Sequence, residues 1–445
     1  MRIRLLDYFL RELLLSWKPI VSKKTIKRRI NKSLYFYVFF CLTLLHITSY
    51  FLDLPPLIGN WEDKSWSILN FALNDNYYPP GASLALIPFL WSGPNFWLAI
   101  YFYYAVSAVI YFKICNYVDL GRGKIVALAA LPLNFYLTWL CLTSADQVVE
   151  LMFLLLLGYS AIKSKFFLSL IYGFLLCFTR PSYWPAYILI IYFIAKSSPK
   201  EQKYNDNWVK KGAAIWVLFG VLTFNQLVFN SINLATSSSD TLFYSHQKYH
   251  YLTLPKFDMD VFLENGVSTD PIKVTKSSDQ FNYIDNLKLR AVLISIFENP
   301  QRFVFSEIQK FDSHFFSIQK VPNLPGNYQL SSDENSINIG NERLTWPLTF
   351  GYLLYAIYRA IWMLLFAAII FWSFLLIRNK SRLKPYEKYL PLPYLLGVIP
   401  GLIFYSETRF KICSEVLLIP LGLLAFQNIK KLMIPDSFRI ESESN

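Results

Sequence analysis

Charged residues are scarce in this chain, and their scarcity argues against an ordinary soluble protein. Of the 445 residues, only 16% are charged, whereas 54% are hydrophobic and 18% are aromatic. A soluble domain typically has about 25% charged residues. The composition therefore predicts a protein that exposes much of its surface to lipid.

Cysteine and histidine are also sparse. The five cysteines lie within or beside apolar segments and are not paired at metal-ligand spacing, and the four histidines are not spaced as ligands either. The one large polar segment contains no cysteine. We therefore expect no disulfide framework, no Cys or His metal site and no cofactor, with a divalent metal left open but unsupported.

The N-terminus lacks the uninterrupted apolar run of a cleavable signal peptide. Residues 1–17 place Arg, Asp and Glu among the apolar residues at helical spacing. This pattern favours an amphipathic helix on the membrane surface over a poorly ordered basic tail.

Long apolar runs are what the chain has in abundance. A helix crosses the hydrocarbon core with about 20 apolar residues. A shorter run at 82–93 predicts a re-entrant or half-buried helix. The sequence thus predicts an all-α, polytopic membrane bundle of about 10–11 transmembrane helices, with extracytoplasmic surface helices. Ten long runs support this prediction, at about 34–52, 94–116, 125–143, 147–163, 166–180, 183–196, 212–231, 350–378, 389–405 and 410–427.

The net charge of +13 comes with short clusters of Lys and Arg between the apolar runs. Segment 18–32 is densely basic, and alternate loops after it share the bias. By the positive-inside rule, we expect a multi-pass protein of the cell (plasma or inner) membrane with its N-terminus in the cytoplasm. The same placement argues against a partner of nucleic acid.

This topology divides the chain into five parts. The first extracytoplasmic loop, 53–81, belongs to the N-terminal transmembrane module. The parts are a basic cytoplasmic N-terminus at 1–33, that module at 34–231, an extracytoplasmic region at 232–349, C-terminal transmembrane helices at 350–427 and a cytoplasmic tail at 428–445. Within the extracytoplasmic region, 287–317 predicts two helices along the membrane face, separated at Asn299-Pro300.

Charged side chains collect at the predicted extracytoplasmic ends of the spans, where they are costly unless paired or functional. These residues are Glu62, Asp63, Asp146, Arg180, Glu407, Arg409 and Lys411. A structural alternative stays open for each group. Acids after Asn60 can compensate a helix dipole, Arg180 can snorkel to the interface, and the last three can anchor a span end. Tyr77 and Tyr78 precede two prolines, which predicts either a pocket floor or a rigid turn.

Four short motifs follow one another along the chain. The first is an acid with an aromatic residue three positions later (Asp63, Trp66), followed by Tyr78-Pro79-Pro80-Gly81. The others are Thr143-Ser144-Ala145-Asp146, Phe178-Thr179-Arg180-Pro181 and Glu407-Thr408-Arg409-Phe410. In this order they resemble the GT-C superfamily of membrane glycosyltransferases over residues 34–427. The closest type is that of the bacterial aminoarabinose and protein O-mannosyl transferases.

The resemblance implies an enzyme that takes a sugar from a polyprenyl-phosphate donor lipid. It implies transfer, typically with inversion, to a glycan, lipid or protein acceptor outside the cytoplasm, in contact with membrane lipids. The carboxylate of Asp63, or of Glu62 behind it, would be the base that accepts the acceptor proton. Cationic side chains would stabilise the departing phosphate, and other polar residues would bind substrate. The phosphate-binding candidates are Arg409, Lys411 and Arg180, and the substrate-binding candidates are Glu407, Asp146, Tyr77 and Tyr78.

Two other functions stay open at this stage. A surface-polysaccharide polymerase or ligase also has many spans and one large outer loop, and would use His246, His250 or His314 there. A transporter would place charges and Gly or Pro breaks in mid-membrane and often has repeated halves. Here the charges lie at span ends and the halves do not resemble each other.

Overall fold

The computed structural model describes residues 24–51, 61–70, 80–92, 96–197, 206–229, 346–378, 383–384, 386–404 and 412–433, with isolated residues between 293 and 308. Every regular element in these ranges is helical, which confirms the all-α prediction for this part of the chain. Four helical segments are long and apolar enough to cross a membrane: Lys32–Tyr50, Trp97–Tyr117, Ala145–Ile162 and Cys413–Lys430. These segments favour a polytopic membrane bundle, whereas the count of ten to eleven spans stays a prediction.

Thirteen α-helices lie in the described ranges, joined in places by short 3-10 turns. They are α1 (Lys24–Phe51), α2 (Trp61–Leu69), α3 (Gly81–Leu86), α4 (Trp97–Tyr117), α5 (Lys124–Ala130), α6 (Phe135–Thr143), α7 (Ala145–Ile162), α8 (Phe166–Thr179), α9 (Trp184–Ser197), α10 (Asp206–Phe229), α11 (Trp346–Arg378), α12 (Pro391–Phe404) and α13 (Ile412–Met433).

Helix α7 lies at the centre of this bundle. It packs against α4, α6, α8 and α13, and 83% of it is buried inside the protein. Helix α4 in turn packs against α1, while α9 contacts α10 and α12, and α11 contacts α13. A helix that is apolar and buried on every side suits such a position. Polar side chains on α7 are therefore sealed among neighbouring helices.

Helices α8 and α9 form a tight hairpin, which confirms that 166–180 and 183–196 are two separate helices. Pro181 begins a 3-10 turn that separates them, since proline lacks the backbone N–H that would continue α8. Gly173 lies directly against the ring of Tyr187, where any side chain at position 173 would overlap the ring. The Tyr187 hydroxyl donates to the backbone oxygen of Leu170 at 2.9 Å.

The apolar run at 125–143 is not one continuous helix, so that prediction is wrong. The chain turns at 131–134, between α5 and α6. Pro132 removes a backbone donor there, and the Asn134 side chain accepts from the Leu137 N–H at 3.0 Å to cap α6. Because the rest of the run is apolar, the sequence analysis did not recognise Pro132 and Asn134 as signals of a turn.

Residues 82–92 of the short apolar run are helical. Helix α3 passes at Ile87 into a 3-10 helix that ends at Ser92. This agrees with the short half-buried segment that the sequence predicts. The N-terminal segment 1–17 lies outside the described residues, as does most of 232–349. The isolated described residues between 293 and 308 are helical.

Candidate functional site

Two carboxylates face the interior from the first turns of α7. Asp146 and Glu150 lie four residues apart, which places both on the same side of the helix. Only 7% of Asp146 is exposed, and Glu150 is fully buried. Carboxylates at a helix N-terminus are favoured by the helix dipole. The helix dipole does not offset the desolvation cost of a fully buried carboxylate, so a cationic partner is needed.

Arg180 is that partner. It follows the last residue of α8, and its Nη2 lies 2.5 Å from Asp146 Oδ2, while its Nε lies 2.8 Å from Glu150 Oε2. The Tyr183 hydroxyl, from the 3-10 turn, donates to Glu150 Oε1 at 2.9 Å. We call Asp146, Glu150, Arg180 and Tyr183 the buried ionic cluster. It joins the start of α7 to the α8–α9 hairpin.

The hydrogen bonds of the cluster satisfy both carboxylates. Asp146 Oδ1 accepts from the Ser144 hydroxyl, and its Oδ2 accepts from Arg180. Both oxygens of Glu150 are also bonded. Two negative charges against one positive charge leave a net charge of −1 when all three groups are ionised. A buried polar network in which each carboxylate oxygen has a hydrogen-bond partner is rigid and costly to disturb.

The first turn of α13 reaches the same end of α7. The Cys413 thiol lies 3.5 Å from the backbone oxygen of Gln147 and 3.7 Å from its side-chain oxygen. Cys413 follows Lys411 by two residues. The predicted residues Glu407, Arg409 and Lys411 themselves lie outside the described residues. The contact shows that α13 begins beside the buried ionic cluster.

The first-loop segment also reaches the end of α8. A Cβ atom built on Gly81 would lie 2.6 Å from the backbone carbon and oxygen of Phe178 and from the Thr179 hydroxyl. Only glycine permits this close approach of α3 to α8. The preceding Tyr77 and Tyr78 lie outside the described residues.

Helix α2 packs against α3 and is joined to it by a hydrogen bond from Ser65. The Ser65 hydroxyl, which is buried, donates to the Ser83 backbone oxygen at 3.0 Å. Trp61, one turn earlier, is buried on the same face. Trp66 and Leu69 are 44% and 46% exposed, so these apolar side chains lie on the outer side of α2, where they suit a membrane surface.

Glu62 and Asp63 lie in the first turn of α2, away from its packed face. Asp63 is exposed, and Glu62 is half-buried. This position is compatible both with a helix-dipole role and with a carboxylate that a substrate can reach. The structure therefore brings Asp146 and Arg180 together and leaves Asp63 accessible on α2, which packs against α3.

Glu150 and Tyr183 were missed by the sequence analysis. The available signal for Glu150 was a charged residue inside an apolar run, four residues after Asp146, which is rare without a function or a partner. Tyr183 carries no comparable signal, because aromatic residues make up 18% of the chain.

The chain offers no metal cluster in its described part, where no group of three or more His, Cys, Asp or Glu side chains could hold an ion. His246, His250 and His314, the candidates of the polymerase alternative, lie outside the described residues. No family model, curated protein or solved structure matches this chain.

Proposed function

We propose that this chain is an integral membrane glycosyltransferase. It would transfer a sugar from a polyprenyl-phosphate-linked donor to a glycan, lipid or protein acceptor, with inversion and on the extracytoplasmic side. The proposal includes a bundle of ten to eleven spans, a cytoplasmic N-terminus and a location in the cell membrane. One observation carries it: described residues of the first three GT-C-like motifs, and the helix that follows the fourth, meet at one end of α7.

Three contacts make up this convergence. The second and third motifs join through the ion pair between Asp146 and Arg180. The first joins them where Gly81 lies against the end of α8. Helix α13, which begins shortly after the fourth motif, reaches the same end of α7, because Cys413 contacts Gln147. Helix ends on one side of a bundle lie near one another in any case, so the specific support is the ion pair that joins the second and third motifs.

The chemistry of the proposed reaction fits the charges in these segments. The leaving group is a lipid phosphate, which is already a stable anion, so the site needs fixed cationic donors rather than a strong acid. Arg180 supplies oriented N–H donors, but its charge is compensated by two carboxylates. Arg409 and Lys411 would therefore supply most of the positive charge at the phosphate.

The acceptor needs a base within hydrogen-bond reach. The carboxylates of Asp146 and Glu150 are bonded to Arg180 and are nearly or completely buried. Asp63 is exposed, so an acceptor hydroxyl or amine can approach it. We therefore assign Asp63 as the base, with Glu62 as the alternative. Glu407, Tyr77 and Tyr78 stay as proposed substrate-binding residues, together with Asp146.

The proposal is tested by a structure of the protein in a lipid nanodisc with undecaprenyl phosphate added. We expect density for the phosphate beside Arg180, between the start of α13 and the first-loop helices. A saturated alkyl phosphate serves as the control for nonspecific binding. Density far from this end of α7, or a continuous water path through the bundle, would contradict the proposal and favour a polymerase or a transporter.

A further inference from the structure

We infer that Glu150 and Tyr183 form a positioning pair, which holds the Arg180 guanidinium in the orientation that a sugar phosphate requires. The inference rests on the proposed function and assigns roles to two residues that no motif contains. Neither would touch the substrate. Both would act through Arg180.

The exposure of the cluster separates its members into two groups. The Arg180 side chain is 18% exposed and that of Asp146 is 10% exposed, whereas that of Glu150 is fully buried. Tyr183 is 3% exposed. A ligand at the surface of the cluster can therefore contact Arg180 and Asp146, while Glu150 and Tyr183 stay behind them.

The geometry fixes the guanidinium at two points. Asp146 accepts from Nη2 and Glu150 accepts from Nε, so the two carboxylates hold different edges of one planar group. A single contact would leave the long arginine side chain free to rotate about it. The planar fork recognises phosphate through its orientation as well as through its charge. Holding such a donor in place avoids the cost of ordering it when the ligand binds.

Tyr183 extends this support to a further helix. Its hydroxyl bonds to Glu150, and its ring lies against α12, where a Cβ atom built on Gly397 would be 3.5 Å from two ring carbons. The carboxylate of Glu150 is thus held between Arg180 and a tyrosine that is itself packed. A Glu150 without these two bonds would be a buried charge with no compensation.

The partly exposed pair of Arg180 and Asp146 indicates the chemical class of the ligand. A guanidinium binds phosphate oxygens, and a neighbouring carboxylate accepts hydrogen bonds from hydroxyl groups. A phosphate that carries a sugar presents both kinds of group within a few bonds of each other. We therefore assign the exposed edge of the cluster to the sugar-phosphate linkage of the donor, with phosphate on Arg180 and a sugar hydroxyl on Asp146.

The experiment measures the affinity of the purified full chain for undecaprenyl phosphate by thermophoresis in detergent. The test variants are Glu150→Gln, which keeps the shape of the side chain, and Tyr183→Phe, which removes one hydroxyl. The matched control is Tyr187→Phe, which removes a buried hydroxyl from the same hairpin, 2.9 Å from a backbone acceptor and outside the cluster. Each test variant is also combined with Arg180→Lys, and its thermal unfolding is recorded.

Glu150→Gln removes a negative charge near the phosphate, but its neutral amide holds Arg180 more weakly than a carboxylate does, and we expect the second effect to dominate and to weaken binding about tenfold. Tyr183→Phe should weaken binding by less, while Tyr187→Phe binds as the wild type does. In the Arg180→Lys background both effects should largely disappear, because Lys cannot use the second anchor. This loss of additivity distinguishes positioning from general destabilisation. If Glu150→Gln does not fold, Tyr183→Phe carries the test alone.

Three results would overturn the inference. If the wild type binds undecaprenyl phosphate and both test variants bind it with the same affinity, the positioning role is wrong and the proposed function is unaffected. Effects that add fully to that of Arg180→Lys would do the same, since they show that the pair does not act through Arg180. If the wild type binds undecaprenyl phosphate no better than a saturated alkyl phosphate, the proposed function fails and the positioning role fails with it.

Discussion

At the scale of single residues, the carboxylates of α2 and α7 differ in how exposed they are and in whether they are bonded to Arg180. Asp146 and Glu150 are bonded to Arg180 inside the bundle, so their negative charge is engaged before any substrate arrives. Asp63 is exposed. A general base has to reach the proton that it accepts, whereas a supporting carboxylate has to stay fixed. The difference in exposure divides the four acids between these tasks.

Replacing Asp63 by Asn tests the proposed base. The substitution removes the charge and keeps the size of an exposed side chain, so we expect folding to be unaffected. Transfer should fall by about 100-fold or more, since general-base catalysis typically contributes about that factor. The measurement is the release of polyprenyl phosphate from the glycosylated donor in isolated membranes. Glu62→Gln is the control, in the same turn of α2. A loss of transfer in that variant alone would make Glu62 the base, and full transfer in both would exclude α2 from catalysis.

The residues of the site could be predicted from the sequence only where a charged residue lies at the end of a predicted span. Asp146 and Arg180 were found in this way, and the structure joins them. Glu150 lies within the apolar run of α7, where one charge changes the average polarity little. Tyr183 becomes meaningful only through its bond to Glu150. A hydrogen bond between positions 33 residues apart cannot be recognised from the pattern of neighbouring residues in the sequence.

At the scale of helices, apolar pattern predicts where helices lie better than how they pack. The two helices of the α8–α9 hairpin follow from the polar break at 179–181. The turn at 131–134 was missed, because its proline and asparagine stand in an otherwise apolar run. The contact between Cys413 and Gln147 joins positions 266 residues apart. Helices that are apolar on most sides have no single face that would identify a neighbour.

The close approach of α3 to α8 gives a prediction at this scale. Replacing Gly81 by Ala places a methyl group 2.6 Å from backbone atoms of Phe178, which cannot move aside as a flexible side chain can. We expect a loss of about 1–3 kcal/mol in stability, seen as a lower temperature of thermal unfolding, and reduced transfer. Gly220→Ala is the matched control on α10, where no atom lies within 4 Å of the added Cβ. That variant should be neutral or more stable by up to about 1 kcal/mol. Equal stability of the two variants would show that the approach is not tight.

At the scale of the whole molecule, the distribution of charge carries the orientation. Four helical segments are long and apolar enough to cross a membrane, but length and composition do not say which end is cytoplasmic. Lys and Arg in alternate loops predict a cytoplasmic N-terminus, because such residues are usually retained on the cytoplasmic side. Both Asp63 and the buried ionic cluster would then face the outside, where a polyprenyl-linked donor has to be presented for extracytoplasmic transfer.

Single introduced cysteines test this orientation directly. The five native cysteines are free and buried, so they should react little with a membrane-impermeant maleimide. We expect Ser237→Cys, in the predicted extracytoplasmic region, to be labelled on intact cells. Ser437→Cys, in the predicted cytoplasmic tail, should be labelled only after the membrane is opened. The unmodified protein gives the background, and labelling of both variants in opened cells shows that each thiol is accessible. The reverse pattern would place the buried ionic cluster on the cytoplasmic side, where the donor would have to be used before it crosses the membrane.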